Sequence, residues 1–351
     1  MRIGMIAGLA MAALAVGAVF FVYGQDLPST QALSQYTPRT ISRVYSGEGR
    51  IIDEFATERR LFTPSEEIPD LVKQAFVAAE DQNFYTHPGF DVRGMAAAAA
   101  DAVRSGGSDL RGASTITQQV MKNFLLDGSR SAERKIKELI LATRIERAMS
   151  KEDILELYLN EIFLGENSYG VTAAALSYFN KPLTDLSPGE VAYLAALPKE
   201  PSNLHPVRER EEATARRDYV LRRMFEDGYI DRASFEAERA APLRTVQAGD
   251  FPSFRSTVPP RDYFTDEIRR QLSENFGEEE FFSGGLSIRA TMDPDLQVGA
   301  AHALQRALER FDRGLGRWRG TGITIPPEAL GDEAAWREAL AATEAPRDVT
   351  L

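Results

Sequence analysis

Between Ser114 and Asn123 the chain sets Ser114, Thr115, Thr117, Gln118, Gln119, Lys122 and Asn123 within a few turns of one another. A hydrophobic core has no use for hydroxyls, amides and an ammonium at that density, so the stretch predicts the wall of a site for a large polar, anionic ligand. Roughly thirty residues earlier runs Glu80-Asp-Gln-Asn-Phe-Tyr-Thr-His-Pro-Gly89, in which Glu80 precedes a Pro-Gly turn. On position alone, a carboxylate at the end of a helix is most often a solvated one. Charge points to the same neighbourhood. From Arg111 to Lys151 there are nine basic residues against four acidic, whereas the whole chain of 351 residues carries a net charge of −11.

Other chemistry is excluded by composition. The absence of cysteine removes disulfides, thiolate nucleophiles and cysteine-ligated metals. Three widely spaced histidines, His87, His205 and His302, do not make a zinc site. The acidic balance argues against nucleic acid as a partner, because phosphate binding needs a basic domain. At 43% hydrophobic residues the chain can bury a core of one or two domains.

The elements that must position these residues are mostly helical. Pro64-Ser65-Glu66-Glu67 predicts a helix running to Glu80 with Ser65 as its cap. An alanine-rich helix is expected from Asp91 to Arg104, and Ser131 to Met149 predicts another that packs through Ile136, Leu139, Ile140 and Thr143 while Arg130, Arg134, Lys137 and Glu138 face away. Ser150 caps a helix over Lys151 to Glu161 that is apolar nearly all round. Further helices are expected over Gly170 to Phe179, Ser187 to Leu197, Glu209 to Asp227 and Pro294 to about Arg310. Alternating pieces around Ser46-Gly-Glu-Gly49 predict a strand pair, and the stretch beyond Ala240 turns to Pro, Gly and short β-like runs.

Ile3 to Tyr23 carries no charge, and twenty-one helical residues reach about 31 Å, the thickness of a bilayer core. A cleaved signal peptide is the alternative, but bulky Phe20, Phe21 and Tyr23 stand where small residues precede cleavage. The expectation is a single-pass anchor, with Arg2 favouring the N-terminus inside and the remainder outside. The organisation expected is an anchor over 1–24, a β-containing linker over 25–63, a main domain over 64–240 and a second linker region over 241–351.

Five blocks, in order, resemble the glycosyltransferase module of class A penicillin-binding proteins. They are Glu80-Asp-x-x-Phe-x-x-His-x-Gly89, Gly112-x-Ser-Thr-Ile-Thr-Gln-Gln119 with Lys122-Asn123, Arg134-Lys-x-x-Glu138, Lys151-x-x-Ile-Leu-Glu-x-Tyr-Leu-Asn160 and Arg217-x-x-Val-Leu221. The resemblance implies a mainly α, lysozyme-like two-lobed fold with a membrane-touching lobe. It also implies an inverting transferase that polymerises lipid II into β-1,4 glycan with release of polyprenyl pyrophosphate, on the outer or periplasmic face of the cytoplasmic membrane. Its partners would be lipid II, the growing lipid-linked glycan, the membrane and other cell-wall synthesis proteins. Gly284-Gly-Leu-Ser-Ile-Arg-Ala-Thr-Met-Asp-Pro-Asp-Leu-Gln297 is similar to the family's lead-in to a transpeptidase domain. No Ser-x-x-Lys and no Lys-Thr-Gly follows, so a truncated product ending at Leu351, without penicillin binding, is expected.

In the resemblance Glu80 is the base for the acceptor hydroxyl. Lys122 and Arg130 meet the donor pyrophosphate, and Arg134 and Lys137 extend that cradle. Ser114, Gln118 and Gln119 hydrogen-bond sugar or phosphate oxygens, while Thr115 and Thr117 shape the turn. Glu138 is a second functional glutamate that either orients the cations or helps to hold a divalent ion such as Mg or Mn; no cofactor is obligatory and no metal ligand set is assigned. Asp81 and His87 read as structural. Two rivals remain at this level: a lysozyme-like lytic enzyme, which would need no basic cradle for a pyrophosphate, and an inactive cell-wall scaffold.

Overall fold

The computed structural model describes residues 22–23, 27, 40–56, 58–94, 96, 114–125, 132–254, 258, 261–315, 331–335 and 338. Its elements run β1 (Ser42–Tyr45), β2 (Ile51–Phe55), β3 (Arg59–Arg60), α1 (Asp70–Glu80), α2 (Ile116–Leu125), α3 (Ala132–Ala148), α4 (Lys151–Glu161) and β4 (Ser168–Tyr169). There follow α5 (Val171–Phe179), α6 (Pro188–Ala196), α7 (Arg210–Glu226), α8 (Arg232–Ala240), α9 (Tyr263–Phe276), α10 (Glu278–Ser283), β5 (Ser287–Arg289) and α11 (Pro294–Gly314). The structure is therefore mostly helical. The expected span from Ile3 lies outside the described residues except for Val22 and Tyr23, and among the described residues no helix is long and apolar enough to cross a membrane.

The chain divides into two units. The first comprises 1–42, 55–257 and 273–286, and holds every candidate site residue. In its core α6 packs against α1 and α7, while α2 packs against α3 and α4. Helix α4 is central, with Ile154, Leu155, Leu157, Tyr158 and Leu159 all buried. It starts at a capping box in which the Ser150 side chain accepts from the Asp153 N–H and Asp153 reaches back to the Ser150 N–H. Ser187 and Glu190 form the same device at α6, with Pro188 in the first turn. Strands β3 and β4, which periodicity did not reveal, pair in parallel over two residues.

The second unit comprises 43–54, 258–272 and 287–351. There β5 runs parallel to β1 with Arg43 opposite Ser287, and Arg261 clamps Asp53 through two nitrogens at 2.9 and 3.2 Å.

Three expectations about elements change. The helix expected from Pro64 to Glu80 is broken: Ser65–Glu67 is a 3-10 turn, Ile68 is extended, and α1 begins only after Pro69. Proline disfavours helical backbone at the residue before it, which accounts for the break. Ser65 instead ties to α4, its N–H donating to Glu156 Oε2 at 2.6 Å. On α3 the buried stripe runs through Glu138, Ile140, Leu141, Ala142 and Ile145, so Ile136, Leu139 and Thr143 are only partly buried and Glu138 lies inward. Backbone contact explains the rotation. Gly89, at φ +96°, lies so close to α3 that a Cβ there would stand 2.7 Å from the Ala142 carbonyl oxygen. The region after Ala240 holds β5 within the β-like run expected over Gly284 to Pro294, but also the helices α9 and α10, which were not expected. Helix α9 carries ion pairs one turn apart, Asp266–Arg269 and Glu267–Arg270, which support a helix on its solvated side. Of the alanine-rich helix expected over Asp91 to Arg104, residues 92–94 and 96 are helical and the rest lies outside the described residues.

Candidate functional site

Helix α2 begins at Thr115, which acts as its N-cap. The Thr115 hydroxyl accepts from the Gln118 N–H at 3.2 Å, and the Gln118 amide oxygen accepts from the Thr115 N–H at 3.2 Å. This reciprocal pair satisfies two helix-end donors inside the protein, so the buried Gln118 shapes the turn. Two bonds fasten the turn to the Glu80 motif. Thr115 Oγ1 donates to the Gly89 carbonyl at 2.8 Å, and Asp81 Oδ2 accepts from the Ile116 N–H at 2.9 Å. His87 completes the fastening. Its Nδ1 accepts from the Gly89 N–H, which leaves the proton on Nε2 to donate to Asp81 at 2.8 Å. Asp81 and His87 are thus both occupied in holding α1 against α2.

Beside this clamp, at the last residue of α1, stands Glu80. Only one side chain hydrogen-bonds it among the described residues: Gln119 Nε2 donates to Glu80 Oε2 at 2.7 Å. Burial raises the Glu80 carboxyl above its ordinary value, and the neighbouring Asp81 charge adds to that. The Gln119 hydrogen bond and the positive charges of Arg216 and Lys199 act in the opposite sense without reversing it. A carboxylate held this way is suited to accept a proton from a weakly acidic hydroxyl. Sequence reasoning did not select Arg216 or Lys199. Arg216 adjoins the Arg217 block on α7, packs its guanidinium over the Tyr219 ring at 4.5 Å from the centroid, and keeps a buried Nε without a hydrogen-bond partner among the described residues.

The second glutamate lies on α3 in a different setting. Glu138 is 3% exposed, with Arg134 Nε 3.1 Å from Oε1 and Lys135 Nζ 2.9 Å from Oε2. Lys135 also donates to Ser114 Oγ at 2.7 Å, so it joins α3 to the polar motif. The residue expected in that place, Lys137, pairs with Glu133 at 2.7 Å on the neighbouring side of the helix. Helical spacing contained the signal for Lys135: it stands three residues before Glu138 and, once Glu138 faces inward, shares its side. Both Glu138 oxygens are engaged by cations, which does not suit a divalent metal ligand, and among the described residues no group of three or more His, Asp or Glu could hold a metal. Lys122 is exposed at the C-terminal turn of α2, and Arg130 lies outside the described residues. Thr117 donates to Glu146 at 2.6 Å, and Lys151 donates to the same carboxylate at 2.7 Å and to the His87 carbonyl at 2.8 Å. Both residues therefore act as scaffold.

The structure brings together Glu80, Gln119, Gln118 and Ser114 along the α1–α2 junction, and Arg134, Lys135 and Glu138 along the facing end of α3. A partly buried carboxyl with raised proton affinity can deprotonate a neutral hydroxyl, and the cations on α3 can receive an anionic leaving group.

Residues 48–225 match the family model described as Transglycosylase. Among similar proteins, penicillin-binding protein 1A of Rickettsia prowazekii is 42% identical over 298 residues, 84% of this chain and 37% of that protein. Penicillin-binding protein 1A of Vibrio cholerae is 40% identical over 84% of this chain and 35% of its own length. A crystal structure of penicillin-binding protein 1A from Haemophilus influenzae aligns with a TM-score of 0.47 at 25% identity, over 89% of this chain and 36% of that one. The chain spans less than two-fifths of the length of these relatives.

Proposed function

Because the chain belongs to the transglycosylase family, we propose that it polymerises lipid-linked disaccharide units into peptidoglycan strands. The family's two-lobed, lysozyme-like arrangement is part of this reading, as is an anchor through the residues before Gln25. Donor and acceptor are both lipid-linked, so anchoring would confine enzyme and substrates to one surface and raise their effective concentration. The catalytic face is then the outer or periplasmic one.

The observation that carries the reading is the Glu80 environment: a carboxyl raised by burial, bonded by a neutral amide from the motif that also meets the basic end of α3. Glu80 takes the proton from the acceptor's 4-hydroxyl as that oxygen attacks the anomeric carbon of the donor. The C–O bond to the lipid pyrophosphate breaks on the opposite side, giving inversion and a β-1,4 link. The departing pyrophosphate already carries charge on both phosphates and gains one more as the C–O bond breaks, and Lys122, Arg130, Arg134 and Lys135 supply fixed positive charge. Gln119 and Ser114 orient sugar or phosphate oxygens. Glu138 holds Arg134 and Lys135 in place, so its role is to orient them. The basic set favours synthesis over lysozyme-like hydrolysis, whose uncharged substrate needs no such cradle.

The test is to incubate the protein in detergent with lipid-linked disaccharide pentapeptide and to separate the glycan products by electrophoresis. Long strands from the wild type and none from Glu80→Gln are expected. A folded wild type that yields no polymer would sink the proposal.

A further inference from the structure

Among the described residues of the first unit three tyrosines are fully buried, and two of them have ordinary partners. Tyr178 donates to the Leu164 carbonyl at 2.8 Å, and Tyr193 donates to the Leu204 carbonyl at 2.8 Å. Tyr158 differs. Its side chain is 1% exposed and its hydroxyl is buried without a hydrogen-bond partner among the described residues. A buried hydroxyl left unpaired is unfavourable, and a phenylalanine would fill the same space without that cost.

The surroundings say what the hydroxyl is near. Tyr158 lies on α4, and its ring packs edge-on against Phe76 of α1 with centroids 6.1 Å apart. Phe76 precedes Glu80 by one helical turn, so the phenol lies beneath the face of α1 that ends in Glu80. After burial itself, the negative charges of Glu80 and then Asp81 act most on this hydroxyl, holding its proton well above the usual tyrosine range. It therefore stays a donor throughout the working pH range, in the field of two carboxylates. Asp81 is already supplied by His87 and Ile116, whereas Glu80 has only Gln119. In the proposed reaction Gln119 also serves the substrate.

We propose that Tyr158 is a positioning residue for Glu80: its buried hydroxyl donates to the ionised carboxylate through one bridging water and keeps it available as a base. This rests on the role proposed for Glu80. The charged groups that act on Glu80 are Asp81 on α1, Arg216 on α7 and Lys199 in the 3-10 turn Leu197–Lys199, all untouched by the test.

The experiment compares Tyr158→Phe with wild type and with Tyr193→Phe, the last removing a hydroxyl whose partner is a distant carbonyl. Carbon-13 NMR of the glutamate carboxyls in the full chain in detergent, with the Glu80 signal assigned by its loss in Glu80→Gln, follows Glu80 ionisation without any need for turnover. Loss of the donor should raise the Glu80 midpoint by about one pH unit in Tyr158→Phe and leave it unmoved in Tyr193→Phe. The acidic limb of the polymerisation rate should move with it while KM holds. An unmoved Glu80 midpoint in a folded Tyr158→Phe, especially with a raised melting temperature, would mean that the hydroxyl is only an unpaired core atom and would overturn the proposal. If wild type fails to polymerise, the function falls, while the NMR titration still decides the role of Tyr158.

Discussion

Glu80 and Glu138 are the same functional group in one folded unit, and their surroundings differ in the identity of their partners more than in their burial. Glu80 faces a neutral amide, with its cations acting from a distance, and burial leaves its carboxyl raised. Glu138 is more enclosed, yet both of its oxygens are matched by an arginine and a lysine. Burial alone therefore does not make a base. A carboxylate enclosed without adjacent cations is disposed to take protons, whereas one enclosed between cations fixes the cations.

The comparison can be broken most sharply at Glu80. Replacement by Gln should lower polymerisation about a thousandfold, the loss expected of a general base, as measured from the yield of glycan strands. The same variant should melt at a higher temperature near neutral pH. Because the folded chain holds the Glu80 proton more tightly than the unfolded chain does, the stability linked to that proton is present below the ordinary carboxylate value and is lost as pH rises through the raised one. Gln imitates the protonated form, so the gain over wild type should vanish in acid; equal melting temperatures at neutral pH would argue against a penalised charge.

Glu138→Ala should act differently, lowering both rate and stability. It leaves Arg134 and Lys135 without their shared anion, for a loss of about 2 kcal/mol, held down because Lys135 is half exposed. The rate should fall about a hundredfold through misplaced cations. Thermal melts and rates recorded together check this: a stable variant with lost activity would instead move Glu138 into direct chemistry. Gln119→Leu comes next, with a rate loss of about tenfold for one hydrogen bond and an acidic limb displaced upward, read from rate against pH. The smallest effect is in wild type itself. Its acidic limb should lie above the ordinary carboxylate range, and a limb within that range would bring Glu80 back towards a solvated glutamate.

Much of this was legible in the chain before any coordinates. Local signals did best where the physics is local: the Ser150 cap, the apolar α4 and the helix expected over Ser187 to Leu197 correspond to observed elements. Periodicity failed on α3, because the helix is seated by Gly89 against the Ala142 backbone, a contact that no side-chain pattern announces. That error carried Lys137 into the expected cradle in place of Lys135. Lys199 and Arg216 were missed for a related reason. Their effect on Glu80 arises across elements far apart in sequence, and neither belongs to the motif that contains the base.

The clamp between Asp81 and Ile116, with Thr115 on the Gly89 carbonyl, has a consequence for variation. Asp81 and Gly89 are tied directly to Ile116 and Thr115, so the register of Glu80 on Gln119 is set at the junction itself. A substitution at Asp81 would therefore loosen the base and its amide together, without touching either.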